Sequence, residues 1–508
     1  MVSTLDKLQQ VGFVILLVGS WLNPLTGGPS PAVYPWLISA VCGVLLWVRR
    51  RQLTVHFIAT TWLAAAAVSS LMGLLQYFGF SAELHGLVHT TGVGDAFANL
   101  RQRNQYATLT SIGLTALLWF SSQPAPSTTT TIRRSTPVWT YAVALVLAVG
   151  NATSNSRTGM LQWCLVFVWV QLSGQKTNQA TKALCAAALL AYALTTLALP
   201  MALEAFTGNA YGGLLARFEE QPGCSSRSVM WANVLHLIAR KPWLGWGWGE
   251  LDYGHFITLY PSKRFCEILD NAHNLPLHLA VELGVTSAIL LMGLLVLWVA
   301  RARPWAEAHP TRQMAWLVLA VIGIHSLLEY PLWYGPFQVA VGLCVLLFVR
   351  TAAVQNGVGV PARLFQTPWS PKPWLERVFA TLLLAILIGA AWDYWRVSQL
   401  YLLPADRAEA YRDNTLAKVR NSWFFQDQVQ FAELTTVTLN SQNAVEHYAQ
   451  ALRLLHFSPE PRVVEAVIES AVMLGKDQEA LYYLQRYQAA FPQDHAKWVA
   501  RSARFKTP

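Results

Sequence analysis

The sequence predicts an all-α polytopic membrane protein with about 11 transmembrane helices, in a range of about 10 to 13. Of its 508 residues, 54% are hydrophobic and only 13% are charged, and the mean hydropathy is +0.33. A soluble chain of this length would have a charged fraction of about 25%. Helices are indicated rather than a barrel because the apolar stretches run unbroken for about 16 to 25 residues, without alternating polar positions.

Each apolar stretch is a candidate membrane helix. The stretches cover residues 8–22, 33–48, 55–79, 105–121, 137–152, 159–173, 183–202, 279–300, 313–328, 335–349 and 376–398. The first has only Lys7 before it and no small-residue cleavage site after it. We therefore expect it to be a retained anchor and not a cleaved signal peptide.

Lysine and arginine residues in the short connections predict the orientation. Alternate connections carry Arg49–Arg51, Arg133 and Arg134, Lys176 and Lys182, Arg301, Arg303 and Arg312, and finally Arg350, Arg363, Lys372 and Arg377. These connections are expected on the cytoplasmic side, which places residues 400–508 on the outer side. The net charge of +10 is then mostly a topology signal and requires no nucleic-acid partner.

Several basic residues lie on connections assigned to the outer side, against the usual bias. An anionic ligand there would compensate them, and the alternatives are ion pairs with acidic side chains or contacts with lipid phosphates. We expect those alternatives for Arg240, Lys241, Lys263 and Arg264. Because a guanidinium binds phosphate oxygens in a bidentate manner, we expect ligand binding for Arg101, Arg103, Arg157 and Arg227.

A long outer loop, residues 203–272, is expected to be functional because long connections without a role are uncommon. Its segment 226–240 has apolar residues at helical spacing, which predicts a helix along the membrane surface. The "GWGWG" at 245–249 follows no strand and precedes no GK[ST], so we interpret it as a membrane-interface or sugar-stacking turn. Cys224 and Cys266 are the two cysteines outside the spans, and we expect them to form a disulfide.

His273 follows this loop in "NAHNLPLHLAVELG". His273 and His278 are five residues apart, about 140° around a helix, so they do not form a two-histidine zinc face. The outer loops contain no HExxH, CxxC or DxD pattern, and the sequence therefore predicts no metal site. The two interpretations of His273 are a structural residue and a general base at the membrane rim.

His273, Asn274, nine further residues and Gly284 resemble the H-[NSQ]-x9-G signature of the O-antigen ligase and protein O-oligosaccharyltransferase superfamily. Three more elements resemble the superfamily in its own order, within about residues 95 to 350: "SNSRTG" with Arg157, Arg227 with Trp231, and "KPWLGWGWG" as a P-x-x-G-x-G element. The resemblance implies a GT-C-like glycosyltransferase architecture in the bacterial inner membrane, an active site that faces the periplasm, and no cofactor.

Two further stretches resemble the protein-glycosylating branch: "NLRQRNQYAT" at 99–108 and "HSLLEYPLWYGPF" at 325–337. In the first, Arg101 and Arg103 stand where that branch usually has a glycine and a proline. The second gathers polar residues at the outer end of a predicted span, where they need a functional or pairing reason. These residues are His325, Glu329 and Tyr330.

The resemblance implies that an oligosaccharide moves from undecaprenyl pyrophosphate to a serine or threonine of a periplasmic or pilin-like acceptor protein. The leaving pyrophosphate gains negative charge, which arginines can stabilise. We expect His273 to be the general base, with Arg227 and Arg157 as pyrophosphate clamps. The other expected substrate contacts are Gln102, Asn104 and Tyr330 as positioning groups, His325 and Glu329 as groups that orient Tyr330 or the acceptor, and Arg101, Arg103 and Arg217. Asn274 and Glu282 are expected to be structural.

The predicted organisation has four parts: N-terminal membrane helices (1–202), the loop (203–272), C-terminal membrane helices (273–399) and an outer helical segment (400–508). In the last part, Pro459 and Pro492 are 33 residues apart beside amphipathic segments, a weak signal of tetratricopeptide-like helical hairpins. We expect a small helical domain there, either available to an acceptor protein or serving as packing.

Four other interpretations compete with protein glycosylation. An O-antigen ligase would transfer the same donor to lipid A-core, and a polymerase would extend the glycan. A transporter or flippase would have its polar groups at mid-bilayer, whereas these lie at the outer ends of the predicted spans. A non-catalytic scaffold would leave the outer arginines unexplained.

Overall fold

The computed structural model describes residues 4–25, 27–84, 86–123, 137–173, 177–219, 223–355 and 372–504. Regular structure in these ranges is helical, with no strand. Four of the topology residues used above, Arg133, Arg134, Lys176 and Arg363, lie outside the described residues. The chain divides into two compact units. The first unit covers residues 1–26, 31–220 and 299–387, and the second covers 27–30, 221–298 and 388–508.

The α-helices follow one another in chain order. The first eight are α1 (Thr4–Leu22), α2 (Val33–Arg49), α3 (Val55–Tyr77), α4 (Arg103–Ser122), α5 (Val138–Thr153), α6 (Arg157–Leu172), α7 (Gln179–Thr207) and α8 (Ala216–Glu219). The next four are α9 (Arg227–Arg240), α10 (Leu251–Ile257), α11 (Leu275–Leu283) and α12 (Val285–Ala302). Three long or apolar helices follow: α13 (Pro310–Ser326), α14 (Gly335–Gln355) and α15 (Pro373–Ser398).

Six shorter helices complete the described chain: α16 (Thr415–Val419), α17 (Gln426–Thr436), α18 (Ala444–Leu454), α19 (Pro461–Met473), α20 (Asp477–Ala490) and α21 (Pro492–Arg504). Short 3-10 turns occupy Phe80–Glu83, Pro304–Ala306, Pro331–Trp333, Gln399–Tyr401, Pro404–Asp406 and Glu409–Tyr411.

The predicted apolar stretches coincide with α1 to α7 and α12 to α15. Four segments among the described residues are both long and apolar enough to cross a membrane: Val55–Tyr77, Gln179–Thr207, Val285–Ala306 and Pro373–Tyr401. The predicted stretch 279–300 differs from the structure, because α11 ends at Leu283 and a separate helix begins at Val285. Gly284 divides them, since its φ of +86° is not helical.

The core of the first unit surrounds α4, which packs against α3, α5, α6 and α13. Every residue of α4 from Gln105 to Trp119 is buried, although the helix carries several threonine and serine residues. Their hydroxyls return hydrogen bonds to the helix backbone, as Thr110 Oγ1 does to the carbonyl of Ala107 at 2.7 Å. A central helix can therefore bring polar groups into an apolar bundle without leaving them unsatisfied.

The second unit contains a helical core formed by α17 to α20. Phe256, from α10 in the predicted outer loop, is buried in the same core and stacks on Phe491 with ring centroids 6.4 Å apart. Glu250 Oε2 also lies 2.7 Å from His456 Nδ1, beside α18. The predicted loop and the C-terminal segment thus share one hydrophobic core.

Candidate active site

His273 lies at the entrance to α11, in the second unit. Its backbone φ is +50°, in the left-handed region that few residues other than glycine adopt. The His273 N–H donates to Asn271 Oδ1 at 2.9 Å, and this bond stabilises the turn. Asn274 then caps the helix, because its Oδ1 accepts from the N–H of Leu277 at 3.1 Å. The expectation that Asn274 is structural agrees with this contact.

The spacing of nine residues between Asn274 and Gly284 is the length of α11 itself. Gly284 ends the helix, and a Cβ added there would collide with the backbone of Trp243. The signature therefore describes a capping residue, a helix and a glycine that lets a second segment come close.

That second segment is the P-x-x-G-x-G element. The N–H of Val285 donates to the carbonyl of Pro242 at 2.8 Å, and the N–H groups of Trp246 and Gly247 donate to the carbonyls of Val281 and Glu282 at 2.9 and 3.0 Å. The last two bonds satisfy carbonyls at the end of α11 that lack helical partners, and the first pairs the start of α12 with the carbonyl of Pro242. The glycine-rich element thus acts as a brace for the histidine helix.

The tryptophans of this element have different environments. The Trp246 indole N–H donates to the carbonyl of Leu237 at 3.0 Å, and Lys241 lies over its ring. Trp243 and Trp248 are 74% and 61% exposed. The interpretation as an interface or sugar-stacking turn remains a prediction for these two exposed rings.

Arg227 is the first residue of α9, whose start is capped by Ser226. Trp231, four residues later, lies on the same face of the helix. Its indole N–H donates to the carbonyl of Ala272 at 2.9 Å, and Ala272 immediately precedes His273. One hydrogen bond therefore ties the helix of the predicted arginine clamp to the turn of the predicted base.

Two further connections hold this region. A disulfide joins Cys224 and Cys266, whose Cα atoms are 5.5 Å apart. Asn233 in α9 donates to the carbonyl of Lys263 at 3.0 Å, and its Oδ1 accepts from the N–H of Phe265 at 2.8 Å. Sequence reasoning missed Asn233, although an asparagine on the apolar face of an amphipathic helix was a usable signal.

Acidic and histidine side chains flank His273. Burial raises the pKa of Asp270, and the nearby His273 opposes that shift. Burial, with His273 close by, lowers the pKa of His278 to about 4, so His278 is neutral at neutral pH. His278 Nε2 lies 3.4 Å from Glu282 Oε2, which gives this histidine a structural contact that the sequence did not explain.

The predicted polar groups of the first unit converge on Glu329, which is 6% exposed. Its two carboxylate oxygens accept from Gln102 Nε2 and Asn104 Nδ2, both at 3.0 Å. Asn104 Oδ1 in turn accepts from Ser156 Oγ at 2.6 Å, next to Arg157. The two family-like stretches and the "SNSRTG" stretch thus meet in one hydrogen-bond network.

His325 is fully buried one turn before Glu329. Its Nδ1 lies 2.9 Å from Thr108 Oγ1, and Gln162 Nε2 donates to the same hydroxyl at 2.8 Å. Tyr330 is half-buried and stacks on Tyr334 at 5.8 Å between ring centroids. Sequence reasoning missed Gln162, a buried glutamine in the interior of an apolar helix.

Two arginines lie together at the start of α6. Arg157 is exposed, and its guanidinium donates to the carbonyl of Arg217 at 3.3 Å. Arg217 donates to the carbonyl of Asn155 at 3.0 Å. Because each guanidinium bonds the backbone beside the other, the segment of α8 brings two positive charges to one place.

Arg101 and Arg103 occupy positions that explain the family's usual glycine and proline. Arg101 has a φ of +59°, which favours glycine, and Arg103 is the first residue of α4, where proline is well tolerated. Arg103 forms an ion pair with Asp95, which was the alternative to ligand binding. Within the described ranges, Arg101 forms no side-chain hydrogen bond or ion pair.

The sequence-predicted residues therefore form two sets, one in each unit. His273, Arg227, Cys224 and Cys266 belong to the second unit, and the other predicted site residues belong to the first. Among the described residues, no group of three histidine, cysteine, aspartate or glutamate side chains could hold a metal ion.

Three family models match the chain. An O-antigen ligase model matches residues 142–292, a protein glycosylation ligase model matches 96–120, and a model described as the C-terminal part of a virulence factor membrane-bound polymerase matches 313–505. The first two matches include the "SNSRTG", H-[NSQ]-x9-G and "NLRQRNQYAT" stretches. No solved structure matches.

The chain is also similar to three curated proteins. A general O-oligosaccharyltransferase of Acinetobacter baylyi is 24% identical over 67% of this chain and 57% of its own length. A ComP-specific O-oligosaccharyltransferase of the same organism is 23% identical over 60% and 53%, and an O-antigen ligase of Pseudomonas aeruginosa is 29% identical over 56% and 60%. The matches thus span less than two thirds of each relative. Together with the family models, they show that the chain is similar to O-antigen ligases and protein O-oligosaccharyltransferases.

Proposed function

We propose that the chain transfers an oligosaccharide en bloc from undecaprenyl pyrophosphate to serine or threonine hydroxyls of periplasmic or pilin-like proteins. Two of the relatives are named O-oligosaccharyltransferases, and a protein glycosylation ligase model covers the stretch with Gln102 and Asn104. The observation that carries the proposal is the bond from Trp231 to Ala272, which supports joint action of Arg227 and His273.

The reaction is a single displacement with inversion at C1. The acceptor oxygen forms a bond to the anomeric carbon while the C1–O bond to pyrophosphate breaks, and His273 takes the hydroxyl proton. The leaving pyrophosphate keeps the bonding electron pair. Arg227 and Arg157 act as its clamps because paired guanidinium donors match phosphate oxygens. No metal takes part in this scheme.

The first unit supplies positioning groups. Glu329 accepts from both Gln102 and Asn104, which supports a role in aiming these two amides at the donor. The contacts of His325 and Tyr330 fit a part in orienting the acceptor, and Arg217 beside Arg157 fits a second phosphate contact.

The same proposal includes the location. We place the chain in the bacterial inner membrane with about 11 spans, and its active site faces the periplasm. The loop and residues 400–508 lie on that side, and α17 to α20 form a tetratricopeptide-like domain. Their shared core with Phe256 supports one periplasmic body.

The experiment is co-expression with a lipid-linked glycan pathway and candidate acceptors, followed by mass spectrometry of the modified residue. His273→Ala is expected to abolish modification while the protein remains in the membrane. His236→Ala, in α9 of the same unit, is the matched control and is expected to stay active. Normal glycosylation by His273→Ala would end the proposed mechanism.

An O-antigen ligase is the second candidate, since one relative has that name at 29% identity. Adding a lipid A-core acceptor to the same cells distinguishes the two functions. Glycan on lipid A-core with unmodified acceptor proteins would favour the ligase.

A further inference from the structure

A cavity of about 240 Å³ lies in the first unit, beside the start of α4. Trp21, Tyr334 and three prolines form much of its wall, and Asn23, Asn99, Arg101 and Gln105 contribute polar side chains. Aromatic rings with a few polar groups are typical of ligand sites. None of the described residues that line it is acidic.

Some polar side chains of this cavity already form hydrogen bonds with the protein backbone, and others do not. Asn99 Nδ2 donates to the carbonyls of Leu22 and Leu87 at 2.7 and 2.8 Å, and Asn23 bonds the backbone of Leu25. Gln105 is 1% exposed, and its amide Nε2 meets no partner among the described residues. A buried donor without an acceptor is energetically unfavourable, so an acceptor supplied by a ligand would be stabilising.

Arg101 is the positive charge of the cavity. Neighbouring Arg103 is paired with Asp95, whereas Arg101 is exposed and lines the cavity. The available groups are therefore donors: a guanidinium and an amide.

Arg101 is also an unexpected residue for its backbone. A φ of +59° favours glycine, yet this chain carries the longest cationic side chain there. That conformation is unfavourable for an arginine, and a ligand bound by its side chain in the cavity would compensate the cost.

We propose that this cavity binds an oxoanion carried on a compact polyol, with Arg101 and Gln105 as its donors and Trp21 and Tyr334 as its walls. Aromatic faces suit the C–H surface of a sugar ring or glycerol, and the guanidinium suits carboxylate or phosphate oxygens. The source is either an acidic sugar of the transferred glycan or the phosphoglycerol headgroup of a membrane lipid. The first source rests on the proposed function; the second does not.

The test measures binding without transfer. The purified full chain, in phosphatidylcholine nanodiscs, is examined by saturation-transfer difference NMR with methyl glucuronide, and methyl glucoside is the uncharged control probe. In a second arm, native mass spectrometry counts phosphatidylglycerol molecules retained from mixed nanodiscs. Each arm compares the wild type with Arg101→Gly, Gln105→Leu and Arg303→Gly.

Arg303→Gly is a matched control because Arg303 is also an exposed arginine with positive φ, at +47°. Glycine adopts a positive φ without steric strain, so neither Arg101→Gly nor Arg303→Gly is expected to misfold. We expect Arg101→Gly to lose at least about tenfold in affinity for one probe, Gln105→Leu to weaken it less, and Arg303→Gly to match the wild type.

The two arms identify the source. Arg101-dependent glucuronide binding indicates an acidic sugar, and Arg101-dependent lipid retention indicates the headgroup. Equal behaviour of the wild type and Arg101→Gly in both arms overturns the inference. Because no transfer is measured, an inactive protein that still binds in an Arg101-dependent way would contradict the proposed function and leave this inference standing.

Discussion

Trp231 donates its indole N–H to the backbone carbonyl of Ala272 at 2.9 Å, immediately before His273. Trp231→Phe keeps the aromatic ring but leaves that carbonyl without its donor. We expect turnover to fall about tenfold, since a lost hydrogen bond of about 1–1.5 kcal/mol loosens the His273 turn relative to Arg227. Steady-state transfer assays with a defined acceptor check this.

Trp246→Phe is the matched control for this substitution. Trp246 also donates its indole N–H to a backbone carbonyl, that of Leu237 at 3.0 Å, and it lies in the same unit. Trp246→Phe is expected to lose about as much thermal stability as Trp231→Phe and to keep its turnover. Equal losses of turnover in both variants would mean that Trp231 acts only through stability.

The disulfide between Cys224 and Cys266 closes a loop with a sequence separation of 42. Replacing both cysteines with serine is expected to lower the free energy of unfolding of the second unit by about 4 kcal/mol, because the unfolded loop regains conformational entropy. Thermal unfolding in detergent measures the loss. Reductant should destabilise the wild type and leave the double serine variant unchanged; a reductant effect on both would assign the change to other groups.

Asp252 in α10 is a half-buried carboxyl outside the predicted spans. Burial, with Asp270 and Glu250 close by, raises its pKa to about 7, despite the N–H of Tyr253 donating to Oδ1 at 2.6 Å. The folded protein thus binds the proton more tightly than the unfolded chain, whose aspartate titrates near pH 4. Stability is full below about pH 4 and declines as pH rises to about 7.

Asp252→Asn removes the ionisable group and keeps an oxygen for the Tyr253 N–H. The variant is expected to be more stable than the wild type above pH 7, by on the order of 1–2 kcal/mol, and to show a flatter stability profile from pH 4 to 7. Thermal unfolding across that range tests it. Asp413→Asn, at an exposed aspartate of the same unit, should keep the wild-type profile, and an unchanged slope in Asp252→Asn would refute the assignment.

The long apolar runs made the helices predictable, because burying 16 or more apolar residues in a lipid phase leaves few alternatives to a helix. The break at Gly284 was not predicted, since residues 279–300 are apolar apart from Glu282, Thr286 and Ser287, and the positive φ of Gly284 and the close approach of Trp243 appear only in the folded chain. Its position in the resembled signature was a clue, but spacing alone cannot reveal which backbone it meets.

For the candidate site, the sequence identified types of residue better than their partners. Gln102 and Asn104 were expected as positioning groups, and Glu329 was expected to orient Tyr330 or the acceptor. The structure joins Glu329 to Gln102 and Asn104 by hydrogen bonds, which the sequence did not predict. Arg103 forms an ion pair with Asp95, and the Gln105 amide Nε2 has no hydrogen-bond partner among the described residues. Both facts depend on which segments come together in the folded chain. Local propensity contains no information on such long-range partners.

Glu329 accepts from two amides at once, and only a carboxylate supplies both acceptors. Glu329→Gln turns one oxygen into a donor that faces another donor, at a cost of about 1.5–3 kcal/mol. We expect the KM for the lipid-linked donor to rise about 10- to 100-fold because Gln102 and Asn104 lose their orientation. Glu307→Gln, which disrupts the ion pair with Arg312, is the control and should leave KM unchanged; equal KM changes would contradict the positioning role.

The turn at Trp423 and Phe424 is expected to lie in the outer membrane interface. Their backbone N–H groups donate to Asp393 Oδ2 at 2.9 and 3.1 Å, and Asp393 lies in α15, five residues before its end at Ser398. At 1.5 Å per residue the turn is therefore level with a point about 7–8 Å inside that helix end. Trp423 is 88% exposed and Phe424 51%, as aromatic residues at the interface often are.

Quenching by lipids brominated near the headgroup tests this depth. The emission of Trp423 is obtained by subtracting the spectrum of Trp423→Phe from that of the wild type in nanodiscs, with and without brominated lipid. We expect the brominated lipid to quench most of this difference, and to leave the corresponding difference for Trp498→Phe, in α21, largely unquenched. An unquenched Trp423 would place the turn in water, because contact quenching requires the indole to reach the lipid chains.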